Sequence, residues 1–195
     1  MTGEIEASHE RDAELIRRIA EGDKRAFETL FSAYGKRVFR YASRMIGDVS
    51  RAEEVTNDVM IEVWKSAGRF EARSRPSTWI IGITRHLCLN AMRGKKYDIV
   101  DIDDTPVTSD DTPEAAQSHE DDQRILRQAV AKLSPEHREV VELTFYQGLS
   151  YKEIAEIAGC PENTVKTRMF HAKKLLKTQL TRLAQSSALG MGGTA

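Results

Sequence analysis

Hydrophobic residues recur along this chain at the three- and four-residue spacing of an α-helix, while alternating strand patterns are weak. The first clear helix carries its apolar residues on one face and ends at Gly47. Those residues are Phe27, Leu30, Phe31, Tyr34, Val38, Ala42 and Met45. A second helix is predicted after Ser50, and a third from about Ser77 to Arg93. Together they predict a compact helical domain.

Two of these helices carry apolar residues on both sides. The second has Ala52, Val55, Val59 and Val63 on one face, but Ile61 and Trp64 interrupt its polar side beside Glu54, Asn57, Asp58 and Lys65. The third has Trp79, Ile80, Ile83, Leu87 and Ala91 on its main face, with Ile81, Leu89 and Met92 opposite. Such helices are either buried between elements or covered by a partner protein.

The second half of the chain predicts a helix-turn-helix. Helical spacing resumes after Gln123, and Ser134 followed by Pro predicts a new helix start. Ser150 and Glu153 form a capping-box pattern, and Gly159-Cys160-Pro161 interrupts the helix that follows. A final helix is predicted from about Glu162 to Leu183. This arrangement lets one helix brace another whose side chains can enter a DNA groove.

Projection of the final helix at 100° per residue separates an apolar side from a polar side. The apolar side holds Val165, Met169, Ala172, Leu176, Leu180 and Leu183, and is predicted to pack inward. The polar side can address base edges and a thymine methyl. It holds Asn163, Thr167, Phe170, His171 and Lys174, next to Thr164, and the flanking cations suited to phosphates are Lys166, Arg168, Lys173 and Lys177.

Charge is segregated along a chain whose formal net charge is −1. Tyr97–Asp122 holds ten Asp or Glu and no Lys or Arg, whereas Asn163–Arg182 holds six Lys or Arg and no acid. The acidic stretch has too few apolar residues for a core and is predicted to be a flexible linker. We therefore expect an all-α protein with an N-terminal tail 1–11, a helical domain 12–97, the linker 98–122, a second helical domain 123–184 and a C-terminal tail 185–195.

A basic segment precedes the third helix of the first domain. Basic side chains beside aromatic rings are typical of sites for single-stranded nucleic acid, in which bases stack on the rings. The segment and the polar flank of the helix supply Arg69, Arg73, Ser74, Arg75, Trp79, Arg85, His86, Asn90 and Arg93. For Trp79, core packing is favoured over base stacking, because it shares a face with Ile83 and Leu87.

Three motifs together resemble a bacterial RNA polymerase sigma factor of the small extracytoplasmic-function group. They are "AEEVTNDVMIEVWK", "RFEARSRPSTWIIGITRHLCLNAMRGKK" and "LSPEHREVVELTFYQGLSYKEIAEIAGCPENTVKTRMFHAKKLL". The resemblance implies that the first domain is sigma region 2 and the second is sigma region 4. It further implies a stress-responsive initiation factor, controlled by an anti-sigma protein, that binds core RNA polymerase and promoter DNA.

The resemblance also implies roles for the candidate residues. Glu54, Asn57, Asp58, Ile61, Trp64 and Lys65 would dock on the clamp coiled coil of the polymerase β′ subunit. The segment from Arg69 to Arg93 would capture and melt the −10 promoter element as single strand. The final helix, through Asn163, Thr164, Lys166, Thr167, Arg168, Phe170, His171 and Lys174, would contact the −35 element as duplex. The acidic linker would thread a basic channel of the polymerase.

Some positions depart from the family pattern. Asn57 stands where the family commonly has Gln, and "FEARSRP" replaces a loop richer in Gly and small residues. Phe170-His171 replaces a more usual His-Arg pair, and a neutral imidazole attracts phosphate less than a guanidinium does. These changes leave the domain roles intact. Base preference, and the residue that holds a flipped −10 base, do not carry over.

Two alternatives within gene regulation remain open at this point. One is a helix-turn-helix regulator resembling response-regulator effector domains, although the first domain lacks the alternating strands of a receiver. The other is a sigma mimic that titrates an anti-sigma protein, although its recognition helix would be weakened. No phosphate loop, metal-ligand cluster or nucleophile motif is present in the sequence, so we expect no enzyme, cofactor or metal. The polar N-terminal sequence and lack of a long apolar run predict a cytoplasmic protein.

Overall fold

The chain forms two compact units, Met1–Ile102 and Asp103–Ala195. The computed structural model describes residues 2–93, 125–126, 128–130 and 132–190, with side chains described between 7 and 182. These residues form helices and turns, without a strand among them, which confirms the predicted all-α fold. No helix in this part of the chain is long and apolar enough to cross a membrane. The predicted acidic linker lies outside the described residues.

The first unit is a helical bundle with α2 at its centre. Its described elements are α1 (Thr2–Ala20), α2 (Lys24–Ile46), α3 (Val49–Ser66), a 3-10 turn (Ala67–Arg69) and α4 (Pro76–Arg93). Helix α2 packs against α1, α3 and α4. The largest fully buried side chains between these helices are Ile16, Ile19, Leu30, Val38, Tyr41, Val59, Met60, Ile80 and Ile81.

Asp23 fixes the corner between α1 and α2. Its carboxylate accepts hydrogen bonds from the backbone N–H groups of Arg25 at 2.9 Å and Ala26 at 3.1 Å, and so caps α2. The same carboxylate pairs with the guanidinium of Arg18 at 2.6 Å. The hydrogen bond from Arg18 holds the pKa of Asp23 below its ordinary value. One side chain therefore both starts α2 and ties it to the end of α1.

Helix α1 is longer than the sequence pattern predicts. The segment predicted as a tail, residues 1–11, is helical from Thr2 onward. A buried polar contact anchors this helix, because the Tyr34 hydroxyl of α2 donates a 2.6 Å hydrogen bond to Asp12, which is only 5% exposed. Burial, and then this bond, raise the pKa of Tyr34, so the phenol stays protonated and remains a donor.

The start of α3 also differs slightly from the prediction. The helix begins at Val49 rather than after Ser50, and Asp48 caps it by accepting a 3.0 Å bond from the backbone N–H of Arg51. Gly47, in the left-handed conformation with φ 77°, ends α2 immediately before this cap. A glycine tolerates that conformation without strain, so the chain can reverse between α2 and α3 within two residues.

Helix α4 is rotated relative to its predicted core face. Its buried residues are Pro76, Ser77, Thr78, Ile80, Ile81, Thr84 and Cys88. Of the predicted main face, Ile80 is fully buried, whereas Trp79, Ile83, Leu87 and Ala91 are only half-buried. Ile81 is fully buried, so of the two alternatives for this second apolar side, burial between elements applies to Ile81. Burial also raises the pKa of the Cys88 thiol to about 12, which keeps that sulfur in its unreactive protonated form.

The second unit contains the predicted helix-turn-helix. Its described elements are helical residues at 125–126 and 128–130, α5 (Pro135–Val141), a π-helical turn (Glu142–Tyr146), α6 (Tyr151–Ala158) and α7 (Glu162–Gly190). The Ser150 hydroxyl accepts the Glu153 backbone N–H at 3.3 Å, and the Glu153 carboxylate accepts the Ser150 backbone N–H at 2.9 Å. This reciprocal pair is the predicted capping box. Gly159, in the left-handed conformation with φ 64°, ends α6.

Helix α7 is held by both α5 and α6. Its inward side chains are those predicted: Val165, Met169 and Ala172 are at most 2% exposed, and Leu176 and Leu180 are half-buried. Helical backbone continues to Gly190, past the predicted end at Leu183, so the first residues of the predicted C-terminal tail 185–195 are helical. The side chain of Leu183 lies outside the described residues.

We expect Tyr34→Phe to destabilise the first unit by about 1–3 kcal/mol, because it removes the donor that satisfies a buried carboxylate. Urea unfolding followed by tryptophan fluorescence measures this directly, since both tryptophans, Trp64 and Trp79, lie in the first unit. Tyr146→Phe, the same change in the second unit, is the control. An unchanged midpoint for Tyr34→Phe would contradict the role given to the buried pair.

Candidate nucleic-acid and protein interfaces

The side of α7 opposite its buried residues presents the predicted duplex-contacting residues together. We call Asn163, Thr167, Phe170, His171 and Lys174 the recognition stripe; all five are exposed. Phe170 is 66% exposed, an unusual position for a large apolar ring on a folded surface. Thr167 donates its hydroxyl proton to the Asn163 carbonyl at 2.9 Å, so its oxygen remains available mainly as an acceptor. Thr164 and Arg168 are half-buried at the margin.

The cations beside this stripe have neighbours that the sequence pattern did not suggest. Lys166 forms a 2.8 Å ion pair with Glu162, one turn earlier on α7. The ammonium of Lys173 lies 5.9 Å from the centre of the Phe145 ring, over its face. Exposed ion pairs of this kind contribute little stability and exchange readily. Lys166 can therefore pair with a phosphate in place of Glu162, at small cost.

In the first unit, several candidate single-strand residues lie on one side of α4 together with Ile83. Trp79, Ile83, His86, Asn90 and Arg93, which we call the α4 stripe, recur at alternating four- and three-residue spacing; Trp79 and Ile83 are half-buried and the other three are exposed. The amide of Asn90 and a ring nitrogen of His86 are 3.0 Å apart. Arg85, also a candidate, is half-buried and lies more than a quarter turn away from this stripe.

The irregular segment before α4 is fixed to it by an aromatic contact. The rings of Phe70 and Trp79 have their centres 5.0 Å apart with a 47° tilt. Trp79 is half-buried, so its side chain is partly covered by the fold and partly accessible. Ala72 has a left-handed backbone with φ 52°, which is uncommon for a residue other than glycine and marks a tight bend.

This bend presents arginines to solvent. Arg69, Arg73 and Arg75 are exposed, and Ser74 is half-buried. Arg73 pairs with Glu71 at 2.5 Å, and Arg69 approaches Glu62 at 3.4 Å. The exposed arginines thus flank the segment that carries Phe70, whose ring meets Trp79. Their positive charge is partly offset by neighbouring acids.

A third candidate surface lies on α3. Glu54, Asn57, Asp58, Ile61 and Lys65, which we call the α3 surface, are all exposed and lie on one side of the helix. Ile61 is 49% exposed. Trp64, the remaining candidate, is half-buried because its ring meets Phe27 edge to face at 5.3 Å. A partner that covers this surface would meet charged groups around an apolar centre, which is typical of protein interfaces.

Sequence reasoning placed Phe27 and Phe31 on the apolar face of α2 and missed that Phe27 meets Trp64, next to the α3 surface. Phe27 is half-buried, and Phe31, 39% exposed, packs against it with ring centres 6.2 Å apart. The ring of Phe31 also covers Gly35, where an added Cβ would approach it to 3.2 Å. The buried face of α2 runs through Ala26, Leu30, Tyr34 and Val38, one position earlier. Phe27 and Phe31 each follow a buried residue, Ala26 and Leu30, by one position, and this offset was the signal in the sequence that the two rings lie at the edge of the buried face.

In the described part of the chain, no group of three or more His, Cys, Asp or Glu side chains is arranged to hold a metal ion. Cys160 is half-buried in the turn between α6 and α7 and, like Cys88, forms no disulfide. The candidate surfaces are suited to binding.

Two family models match the chain, one in each unit. Residues 30–97 match sigma-70 region 2, and residues 123–176 match sigma-70 region 4. RNA polymerase sigma-H factor of Pseudomonas aeruginosa is 27% identical over 191 residues, covering 92% of this chain and 99% of that protein. The ECF RNA polymerase sigma factor SigW of Bacillus subtilis is 28% identical over 179 residues, covering 86% of this chain and 96% of that protein.

Two solved structures share the fold. CnrH, in complex with the cytosolic domain of CnrY, superposes with a TM-score of 0.66 at 21% identity, covering 88% of this chain and 98% of that one. The sigma factor RpoE of Bartonella quintana, in complex with the anti-sigma factor NepR, gives 0.65 at 23% identity, covering 80% and 96%. At these identities the likeness concerns the all-α fold.

Proposed function

This chain belongs to the extracytoplasmic-function group of the sigma-70 family, and from that premise we propose how its two units divide the work of promoter recognition. It is a transcription initiation factor that binds core RNA polymerase and directs it to promoters, and it is not an enzyme. The observation that carries the proposal is the recognition stripe on α7, an exposed polar and basic face directly opposite Val165, Met169 and Ala172.

We propose that α7 contacts the −35 element in the major groove of duplex DNA. Asn163, Thr167 and His171 supply hydrogen-bonding groups for base edges, and the exposed ring of Phe170 suits a thymine methyl. Lys166, Arg168 and Lys174, with Thr164 at the helix start, lie where phosphates flank the groove. The brace formed by α5 and α6 keeps this face rigid relative to the unit.

The first unit is proposed to hold the −10 element as single strand. The exposed arginines Arg69, Arg73 and Arg75 attract the backbone, and the accessible part of Trp79 offers a stacking surface. Ser74, His86, Asn90 and Arg93 continue the contact along the bend and the α4 stripe. Arg85 is the weakest of the candidates, because it is offset from that stripe. Each exposed arginine–carboxylate pair can be exchanged for an arginine–phosphate pair.

Core polymerase is proposed to dock on the α3 surface, specifically through the clamp coiled coil of the β′ subunit. Asn57 and Asp58 offer hydrogen-bonding groups, Glu54 and Lys65 offer charges, and Ile61 and Trp64 offer apolar area. Because Phe27 and Phe31 border this surface, a docked helix would cover them as well. The proposed site of action is the cytoplasm, where the polymerase and its promoters are.

An anti-sigma protein is proposed to cover the same surfaces when the factor is idle. The exposed apolar residues supporting this are Ile61 and Phe31 in the first unit and Phe145, Tyr146 and Phe170 in the second. The related RpoE of Bartonella quintana was solved with such a partner. Purification from unstressed native cells should recover part of this protein bound to another protein that is not RNA polymerase. Recovery only as free protein or with polymerase would contradict the proposal.

Transcription from fragmented genomic DNA by core polymerase, with and without this protein, tests the proposed function. New transcript starts should share two upstream motifs at fixed spacings. Substitutions in α7 should shift the upstream motif, and those in the α4 stripe the downstream one. New starts that lack the upstream motif would remove the −35 role of α7. If no new transcript starts appear although the core polymerase is active, the proposed role in directing polymerase to promoters would be wrong.

We expect Ile61→Glu to weaken binding to core polymerase by about tenfold or more, because it places an unpaired charge at the apolar centre of the proposed docking surface. The matched control is Val49→Glu, an equally exposed apolar residue at the start of the same helix, 46% against 49% exposed. The control should lie within about 0.5 kcal/mol of wild type. Titration of labelled protein with core polymerase measures both. Equal effects would place the docking surface elsewhere.

We expect Lys174→Ala to weaken duplex binding evenly across sequences and to lower the salt slope of the binding constant by about 1, as loss of one phosphate contact requires. Fluorescence anisotropy with labelled duplexes at several salt concentrations measures this. Lys152→Ala, an exposed lysine of α6, is the comparison within the same unit. A slope unchanged by Lys174→Ala would remove that residue from the contact surface.

A further inference from the structure

The structure brings two histidines from different helices together at the margin of the recognition stripe. His137 lies near the start of α5 and His171 lies on α7, and their ring centres are 6.2 Å apart with a 42° tilt. His171 also meets the exposed ring of Phe170, with centres 5.5 Å apart. His137 is half-buried and His171 is exposed. Nothing in the sequence pattern gave His137 a role.

The orientation of His137 is set by the cap of α5. Its Nδ1 lies 3.1 Å from the Ser134 hydroxyl, which also accepts the His137 backbone N–H at 3.4 Å. Because this contact uses Nδ1, the other ring nitrogen, Nε2, is not used by the cap. The imidazole of His137 is therefore held beside His171, and its Nε2 takes no part in the contact that orients the ring.

The surroundings of the pair are mixed in charge. Glu136 interacts with His137 and Arg168. Further along the same helices α5 carries Arg138 and α7 carries Lys173 and Lys174, while α6, which also packs against α7, carries Lys152, Glu153 and Glu156. A hydrogen bond from its own backbone N–H, then one from Ser134, hold the pKa of Glu136 below its ordinary value. Glu136 thus stays ionised over the range in which imidazoles titrate.

We propose that His137 and His171 together form a proton-linked contact to duplex DNA, with His137 as a contact residue outside the recognition helix. The inference rests on the proposed role of α7. The ordinary pKa of an imidazole lies near 6.5, close enough to neutrality for a neighbouring phosphate to favour a proton on the ring. A phosphate backbone within reach of the rings favours their charged form, so binding takes up protons.

The sign of the linkage follows from that uptake. Duplex binding raises the pKa of each imidazole above its value in the free protein. The extra affinity is therefore fully present below the free-protein pKa and is lost as pH rises through the bound-state pKa. Each unit by which the duplex raises an imidazole pKa corresponds to tenfold in affinity.

The test measures binding of the full chain to a labelled, non-specific duplex of about 30 base pairs, between about pH 6 and 8 at constant ionic strength. Wild type should bind more tightly by about tenfold or more at the acid end, with a salt slope steeper by about 1 for each protonated contact. His137→Gln and His171→Gln should each lose part of this gain, and the double variant should lose most of it. Lys174→Ala should bind more weakly at every pH and keep the gain.

Imidazole proton resonances of the wild-type chain give a second measurement that does not depend on variants folding. Addition of duplex should raise the pKa of both histidines. Duplex binding without pH dependence, an equal gain in the double variant, or unmoved imidazole pKa values would overturn the proton linkage and leave the proposed function standing. Absence of duplex binding at every pH would overturn the proposed role of α7 and the linkage with it.

Discussion

The burial of Val165, Met169 and Ala172 fixes the rotation of α7 about its own axis, and every candidate duplex contact depends on that rotation. With 3.6 residues per turn, a helix that buries these three side chains must turn the recognition stripe to solvent. The brace is itself secured by local interactions. The capping box of Ser150 and Glu153 starts α6, and the left-handed Gly159 ends it, so the turn before α7 has little freedom.

In the first unit too, the side chains that a helix buries determine which of its residues face solvent, but here the outward sides also carry apolar residues. Burial of Ile81, Thr84 and Cys88 turns the α4 stripe outward, and burial of Val59 and Val63 turns the α3 surface outward. Both helices carry apolar residues on their outward sides as well. Apolar side chains on an outward side lower solubility unless a partner covers them. Their presence is consistent with surfaces that bind nucleic acid or protein.

The charged groups at these surfaces are paired weakly with acids. Lys166 with Glu162 and Arg73 with Glu71 are exposed ion pairs, which typically contribute under about 1 kcal/mol. Such pairs hold the side chains loosely and can be replaced by phosphate contacts without uncovering a buried charge. The polar pair Asp12 with Tyr34 lies deep in the first unit and has a structural role instead, because it anchors α1 to α2. Function and stability thus use polar groups in different ways.

The sequence by itself determined what depends on neighbours within a few residues: the helix-turn-helix, the Ser134 and Ser150 caps, and the inward face of α7. Only the tertiary structure decided which of two apolar faces α4 buries, since periodicity cannot choose between two similar stripes. It also decided the length of α1, which starts at Thr2. Most of the first half of this helix is polar and gives no apolar pattern to follow, and the helix is anchored by the buried bond from Tyr34 to Asp12. The meeting of His137 and His171 belongs here too, because helix packing alone brings together residues so distant along the chain.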